Sequence, residues 1–226
     1  MRILALIPAR AGSKRLKNKN FKYFSGKPLI FWSIEAALKS EVVDKLIVST
    51  DDANIKAFTE TCGVHVKSLR PAHLATDDAS AFDVAVHELE QNPGYTHLLY
   101  LQPTSPLRTA KDIANCVSFF LSKKAKSAVS VSSKVKKEEW CIMISEDGRI
   151  TDASAEFKLK QKYCPNGALY LCEIDWFLKS QTFVNNETYA FVMHEDKSVD
   201  IDNLSDFVKA EKLHNLLLKA NISEFH

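Results

Sequence analysis

The sequence predicts an α/β domain on a largely parallel sheet, and three observations carry the prediction. Apolar, β-branched runs recur at about 2–8, 45–50, 64–67, 96–102, 126–132, 167–173 and 189–201. Stretches of helical period lie between several of them, and strands that alternate with helices are joined by crossovers that make neighbours parallel. Hydrophobic residues make up 46% of the 226, enough for one substantial core and too many for a disordered chain.

Each element has its own signal. From 28 to 39, Pro28 stands at a first-turn position, and Ile30, Ile34, Ala37 and Leu38 share one stripe, as in a helix that covers a sheet. Asp51-Asp52 opens the next helix. Further helices are expected at 77–91, at 110–122 with Thr109 as its cap, and at 203–219, where Phe207, Ala210, Leu213 and Leu217 fall on one face. No repeat or low-complexity tract interrupts the series, so residues 1–226 read as a single domain. Between 132 and 165 the pattern changes to a lysine-rich start, a short run Cys141-Ile142-Met143-Ile144, a turn at Asp147-Gly148 and a polar stretch. That mixture reads as an extended insertion, either a flexible loop or an arm that packs on a second subunit.

Composition narrows the function. Cys62, Cys116, Cys141, Cys164 and Cys172 are odd in number and contain no C-x-x-C pair, which points away from a disulfide framework or a zinc site and toward a reducing cytoplasm. No apolar run nears the ~20 residues of a membrane helix, and the first eight residues lack a charged leader with a cleavage site. The net charge is only +2, but residues 1–34 hold eight Lys and Arg and no Asp or Glu, against 22 basic and 28 acidic residues beyond them. One end of the molecule therefore attracts an anion.

That charge is concentrated directly after the first expected strand, from Ala9 to Asn20. In open α/β sheets, ligands bind beyond the carboxyl ends of the strands. Ala11, Gly12 and Ser13 are small enough for backbone N–H groups to approach phosphate oxygens, while Arg10, Lys14 and Lys19 can neutralise a triphosphate. Neither G-x-x-x-x-G-K-[ST] nor G-x-G-x-x-G is present. Three further stations follow. Arg70-Pro71-Ala72-His73-Leu74-Ala75 leads into Asp77-Asp78-Ala79-Ser80, where Asp77 or Asp78 can cap a helix. Tyr100 to Arg108 carries two prolines that stiffen a loop and can present Gln102 without an ordering cost. In Pro165-Asn166-Gly167-Ala168-Leu169-Tyr170, the glycine permits close backbone approach at a strand start.

Ser198-Val199-Asp200-Ile201-Asp202 has a period of two, which sends Asp200 and Asp202 to one side and Val199 and Ile201 to the core. Two crowded carboxylates are tolerable beside a divalent cation, and Mg²⁺ shared with phosphates is the usual arrangement. The alternative is that Asp202 caps the following helix, which has Asp206 in its first turn.

Ile7-Pro8-Ala9-Arg10-Ala11-Gly12-Ser13-Lys14-Arg15, closed by Lys19-Asn20, resembles the opening signature of the CMP-sialic acid synthetases, or acylneuraminate cytidylyltransferases. The 70–80 segment resembles that family's R-P-x-x-L-A-x-D-x-A-S, and residues 101–108 match its L-Q-P-T-S-P-L-R. Residues 165–170 resemble P-N-G-A-[IL]-Y, and 198–202 resemble S-[IV]-D-[IT]-D. The resemblance covers nearly the whole chain. It implies a mostly parallel, Rossmann-like nucleotide-diphospho-sugar transferase fold, with 132–165 as the dimerisation arm of a homodimer. It further implies CMP transfer from CTP to the anomeric hydroxyl of a nine-carbon α-keto acid sugar, with release of pyrophosphate. On that reading Ala9, Arg10, Gly12, Ser13, Lys14, Lys19 and Asn20 hold phosphates and ribose, and Arg70, Ala79 and Ser80 frame the cytosine. Gln102, Asn166, Tyr170 and Phe183 face the sugar, and Asp200 and Asp202 bind Mg²⁺. Arg10, Lys14 and Lys19 neutralise transition-state charge with the metal; the hydroxyl proton goes to Asp202 or is lost from a metal-polarised hydroxyl.

Departures from the family pattern fall on the acceptor side. The family commonly has Arg directly before P-N-G and an Arg-Gln pair several residues earlier, reaching the sugar carboxylate across the dimer. Here Cys164 precedes Pro165 and no arginine follows Arg149; Lys158, Lys160 or Lys162 would act only as point charges. Sialic, legionaminic and pseudaminic-type acids all stay open as acceptors. The P-N-G-A-L-Y segment and the aspartate pair argue against a 3-deoxy-manno-octulosonate cytidylyltransferase. Net negative charge beyond residue 34, with no RNP-like run, argues against a nucleic-acid-binding protein.

Overall fold

The computed structural model describes residues 1–133, 141–152 and 162–223. In chain order the strands are β1 (Ile3–Pro8), β2 (Tyr23–Phe24), β3 (Lys27–Pro28), β4 (Lys45–Ser49), β5 (His97–Tyr100), β6 (Ser127–Ser132), β7 (Ile142–Ile144), β8 (Ile150–Asp152), β9 (Cys164–Glu173) and β10 (Tyr189–Val192). The helices are α1 (Leu29–Lys39), α2 (Ala53–Thr61), α3 (Ala81–Gln91), α4 (Ala110–Ser122), α5 (Ile174–Ser180) and α6 (Leu204–Ser223). Six strands form the central sheet in the order β10-β6-β9-β5-β1-β4, and only β9 runs antiparallel to its neighbours. The expected α/β architecture is therefore present.

The sequence of β1 explains its place inside the sheet, between β5 and the edge strand β4. Residues Ile3 to Ile7 are all buried, as in a strand covered on both faces. Ile3, Ala5 and Ile7 join a cluster with Ile30 and Ile34 of α1 and Ile113, Val117 and Phe120 of α4. Leu4 and Leu6 point the other way, toward Ala85 and Leu89 of α3 and Trp176 and Phe177 of α5. Two helical layers thus seal the sheet, and its strand ends are left to form the site.

Several boundaries differ from expectation, each for a local reason. Pro28 ends β3 and precedes α1, and Leu38 is half exposed, outside the stripe that buries Ile30, Ile34 and Ala37. The run 64–67 is not a strand: Val64 and Val66 are buried as anchors without joining the sheet. The helix expected from 77 begins at Ala81, because the Ser80 side chain accepts from Asp83 N and caps it there. The strand expected over 189–201 stops at Val192. Beyond it Met193 N still donates to Val131 O, and then a 3₁₀ turn at Glu195–Lys197 turns the chain away. The short α5 and the β2–β3 hairpin carried too few residues to register as periodicity. Thr109 caps α4 as expected, in a reciprocal capping box with Asp112.

Of the 132–165 insertion, residues 134–140 and 153–161, with Lys158 and Lys160, lie outside the described residues. Between them β7 and β8 form an antiparallel hairpin. It packs on its own chain: Ile150 enters a cluster with Val129, Val131 and Ala190, and Ile142 pairs with Tyr163. Among the described residues, no helix is long and apolar enough to cross a membrane.

Candidate active site

Where the parallel strands end, the loop after β1, the segment between α2 and α3, the loop after β5 and the extended segment before α6 enclose a cavity of about 720 Å³. Arg10, Ser13, Arg15, Lys19 and Asn20 line it from the first loop, Arg70, Thr76, Asp77 and Ala79 from the second, Tyr100, Gln102 and Thr104 from the third, and Asp200 and Asp202 from the fourth. This is the crevice at which an open α/β sheet takes its ligand.

The first loop is shaped by side chains that reach into its backbone. Ala9 N continues the sheet ladder to Ser49 O at 2.8 Å, and the Asp51 carboxylate accepts from Ala11 N at 2.9 Å. Asn20, buried in a 3₁₀ turn, donates from Nδ2 to Arg10 O at 3.0 Å, so Asn20 fixes where Arg10 leaves the backbone. Gly12 has open space where a Cβ would stand. Lys19 is largely enclosed; its Nζ donates to Ile201 O at 2.7 Å and lies 4.0 Å from Asp202 Oδ1. Arg15 Nη1 approaches the same oxygen at 3.4 Å. The basic loop and the aspartate pair are thus joined across one wall.

Asp77 is the residue that sequence reasoning assigned differently. It caps no helix; its carboxylate takes Arg10 Nη2 at 2.6 Å and also pairs with Lys14 Nζ. Hydrogen bonds from Lys14 and then Arg10 hold its carboxyl below the ordinary carboxylate range. Two cations expected to hold phosphates therefore meet an internal anion. The signal that could have found it was its position opposite an acid-free loop.

Arg70 is buried against β4, donating from Nε to Ser49 Oγ at 2.9 Å, from Nη2 to Ser49 O at 2.5 Å and from Nη1 to Leu74 O at 3.3 Å. Burial lowers its pKa, and its bonds brace the segment that carries Ala79 to the cavity wall. Ser80 is not on that wall: its hydroxyl caps α3.

Gln102 projects beside Gly167, whose φ is +77°; a Cβ there would stand 2.6 Å from Gln102 Oε1 and 3.8 Å from Asp200 Cγ. Behind them lies Arg108, fully buried, with Nη1 donating to Ala168 O at 2.8 Å and Gln102 O at 3.3 Å and Nη2 to Ser33 Oγ at 2.5 Å. Burial pushes its pKa down to about 10.

Asn166, Tyr170 and Phe183, expected beside the acceptor, do not line this cavity. Asn166 is buried and engaged on both ends of its amide: Oδ1 accepts from Ser130 Oγ at 2.5 Å and Ala168 N at 3.1 Å, and Nδ2 donates to Ser198 Oγ at 2.9 Å. It couples β6 and β9 to the segment carrying Asp200. Tyr170 and Phe183 form an aromatic layer behind Tyr100, with ring centroids 6.1 and 4.8 Å from it. Burial, then the Asp200 charge, pushes the Tyr170 hydroxyl up to about 12. Tyr100, which faces the cavity itself, was quoted only as part of a motif; burial raises its hydroxyl further still.

Asp200 and Asp202 share one wall although their segment is no strand. Ile201 N donates to Thr104 O at 2.8 Å, and Val199 and Ile201 are buried among Phe24, Leu29 and Phe207. The alternation survives because one side of the extended chain is anchored. Asp202 is not the helix cap: Asn203 Oδ1 accepts from Asp206 N at 3.0 Å, and Asp206 Oδ2 accepts from Asp202 N and Asn203 N at 3.0 and 3.2 Å.

Comparison with known proteins agrees with the motifs. Residues 4–220 match the family described as Cytidylyltransferase. The chain is 34% identical over 212 residues to an N-acylneuraminate cytidylyltransferase of Escherichia coli O18:K1:H7, aligning 91% of this chain but spanning only 50% of that protein. It is 35% identical over 228 residues to a CMP-N,N'-diacetyllegionaminic acid synthase of Legionella pneumophila, covering 96% of this chain and 97% of the relative. Among solved structures, CMP:2-keto-3-deoxy-manno-octonic acid synthetase complexed with CTP superimposes with a TM-score of 0.76 at 16% identity, covering 96% of this chain and 99% of that one. The shared motifs, the sheet they decorate and a match across almost the full length together mean that the chain belongs to the cytidylyltransferase family of the CMP-sialic acid synthetases.

Proposed function

We propose that the protein transfers CMP from CTP to the anomeric hydroxyl of a nine-carbon α-keto acid sugar of the N-acylneuraminate or legionaminate type, releasing pyrophosphate. One observation carries the reading: Arg10, Arg15 and Lys19 line the same cavity as Asp200 and Asp202. Cations suited to a polyphosphate and carboxylates suited to a hard cation face a common space.

Two anions must meet for this reaction, so charge neutralisation is the main demand on the protein. Arg10 and Lys14 exchange Asp77 for phosphate oxygens when CTP enters, and Asn20 keeps Arg10 aimed. Ala79 and the backbone of its turn stand where the base would be read. The anomeric oxygen attacks the α-phosphorus in line and pyrophosphate leaves. Gln102, on a loop stiffened by Pro103 and Pro106, orients the acid sugar. Asp202 is one candidate for the departing proton.

Mg²⁺ fits the donor set, since Asp200 and Asp202 offer hard carboxylate oxygens on one wall. Bound there with phosphates and water completing its shell, Mg²⁺ would neutralise phosphate charge and polarise the attacking hydroxyl. The reading includes a homodimer in the cytoplasm, supported by family likeness and checked by size-exclusion chromatography. Pseudaminic-type acids form the second reading of the acceptor, because the arginine that the family commonly carries directly before P-N-G is replaced here by Cys164.

Pyrophosphate release from CTP and Mg²⁺ across a panel of eight- and nine-carbon keto acid sugars tests both levels. Turnover fastest with a neuraminate or legionaminate supports the proposal. CTP binding without turnover on any acid overturns the acceptor, and absence of CTP-selective thermal stabilisation overturns the class.

A further inference from the structure

We propose that Cys141 and Cys164 are built to form a reversible disulfide, stapling the β7–β8 hairpin to the first residue of β9. Their sulfurs stand 3.9 Å apart. Their backbones are already opposed, because Ile142 and Tyr163 exchange both antiparallel hydrogen bonds, at 2.8 and 3.0 Å. One residue outward in that register, Cys141 faces Cys164 at a non-hydrogen-bonded pair. Such pairs bring Cα atoms to ~4.5 Å, within the span of a disulfide. Side-chain rotation with a small backbone approach then brings the sulfurs into bonding distance.

The remaining cysteines mark the contrast. Cys116 and Cys172 are sealed in the core, where burial pushes the Cys116 thiol up to about 12 and the Cys172 thiol higher still. Cys62 is partly exposed. The pair also sits at a consequential point, since Cys164 directly precedes Pro165-Asn166-Gly167 and Gly167 abuts Gln102. A bond there would tie the hairpin to the strand that carries Gly167.

The oxidant is a low-molecular-weight disulfide such as oxidised glutathione. Cys141, 8% exposed against 2% for Cys164, attacks first as the thiolate. Its sulfur bonds to one half of the oxidant, and the other half leaves as a thiolate and takes up the proton. The Cys164 thiolate then attacks the Cys141 sulfur and expels the second half. Two protein thiols are oxidised and one small disulfide is reduced to two thiols.

Intact protein is equilibrated in buffers of rising oxidised-to-reduced glutathione ratio, quenched by alkylation and mapped by mass spectrometry without reduction. The expected product has lost two hydrogens and yields one cross-linked peptide joining Cys141 to Cys164, which reduced glutathione reverses. In Cys164→Ser, Cys141 carries a glutathione adduct instead. The wild-type map stands even if that variant fails to fold. The inference is overturned if Cys62 becomes glutathionylated while Cys141 and Cys164 both stay alkylatable across the range, or if the cross-link joins another pair. None of these readings depends on CTP or on turnover.

Discussion

Replacing Gly167 with alanine perturbs backbone and site at one point, and the geometry gives the size of each effect. The residue lies at φ +77°, where a side chain costs about 1–2 kcal/mol. The new Cβ would fall 2.6 Å from Gln102 Oε1, closer than a Cβ stands to a non-bonded heavy atom in folded proteins. Asp200 Cγ, at 3.8 Å, is only in ordinary contact. Because the colliding atom ends a flexible side chain, Gln102 can swing aside for about 0.5–1.5 kcal/mol of rotamer strain. The sum, about 1.5–3.5 kcal/mol, corresponds to a fall of roughly 3–14 °C in melting temperature for a chain of this length. Gln102 would then lie displaced from the acceptor, raising its KM by up to about tenfold, the worth of one hydrogen bond. CTP affinity should hold, since neither the Arg10 nor the Lys14 contact is touched. Thermal melts with and without CTP, and pyrophosphate-release kinetics at varied acid sugar, read these separately. In Gly167→Ala combined with Gln102→Ala the collision vanishes while the backbone strain persists, so the two changes should not add. A single variant melting within a degree of wild type, with unchanged KM, would refute the left-handed backbone and the Gln102 contact together.

Three other substitutions follow from the same geometry. Asp202→Asn should leave the melting temperature near wild type, because Asn203 caps α6, yet reduce pyrophosphate release by about a hundredfold or more; retention of the wild-type rate would refute its role. Asp77→Asn keeps the shape but removes the pairs to Arg10 and Lys14. Since the folded carboxyl is held below its ordinary 3.8, those pairs stabilise above that pH and are lost as pH falls through the lower folded value. The melting difference between wild type and variant should therefore be present near neutrality and close in acid; a gap that stays constant would show that ion pairing is not its origin. Arg108→Met strands the carbonyls of Ala168 and Gln102, for a loss of about 1–3 kcal/mol in urea unfolding, partly offset because a desolvated charge is removed. Unchanged or increased stability would mean that the buried guanidinium braces nothing.

The fold was legible where burial is two-sided. Five consecutive buried residues in β1 leave a contiguous apolar run, and the crossover helices between strands leave a 3.6-residue period. It was illegible where a short apolar alternation serves an anchored coil. Val64 and Val66 fill the core as a strand would, and nothing in their pattern says that no partner strand lies alongside. Asp200 and Asp202 show the same ambiguity with a better outcome: the pair faces one wall as expected, through Val199 and Ile201 anchoring rather than through a ladder.

The site residues divide along a similar line. Arg10 and Lys19 stood out because charge at a strand's carboxyl end has few structural uses, whereas Asn20 was expected only through the family resemblance and Asp202 left a helix cap open; the structure sets all of them around one cavity with Gln102 and Asp200. Asp77 was misassigned because an aspartate four residues before a helix matches a capping pattern, and only the fold shows that Ser80 already fills that role. Asn166 illustrates the converse: a polar residue in a recognition motif whose amide oxygen and nitrogen are both engaged within the protein would act on a ligand through what it holds. It fastens Ser198, two residues before Asp200, to the strand that carries Gly167. Loss of its amide should thus appear in the geometry of both carboxylates before it appears in any contact of its own. Asn166→Asp distinguishes the cases, since the carboxylate keeps the acceptor for Ala168 N and loses the donor to Ser198. A variant whose turnover falls while acceptor KM is steady places Asn166 behind the site, and one whose KM alone rises places it against the sugar.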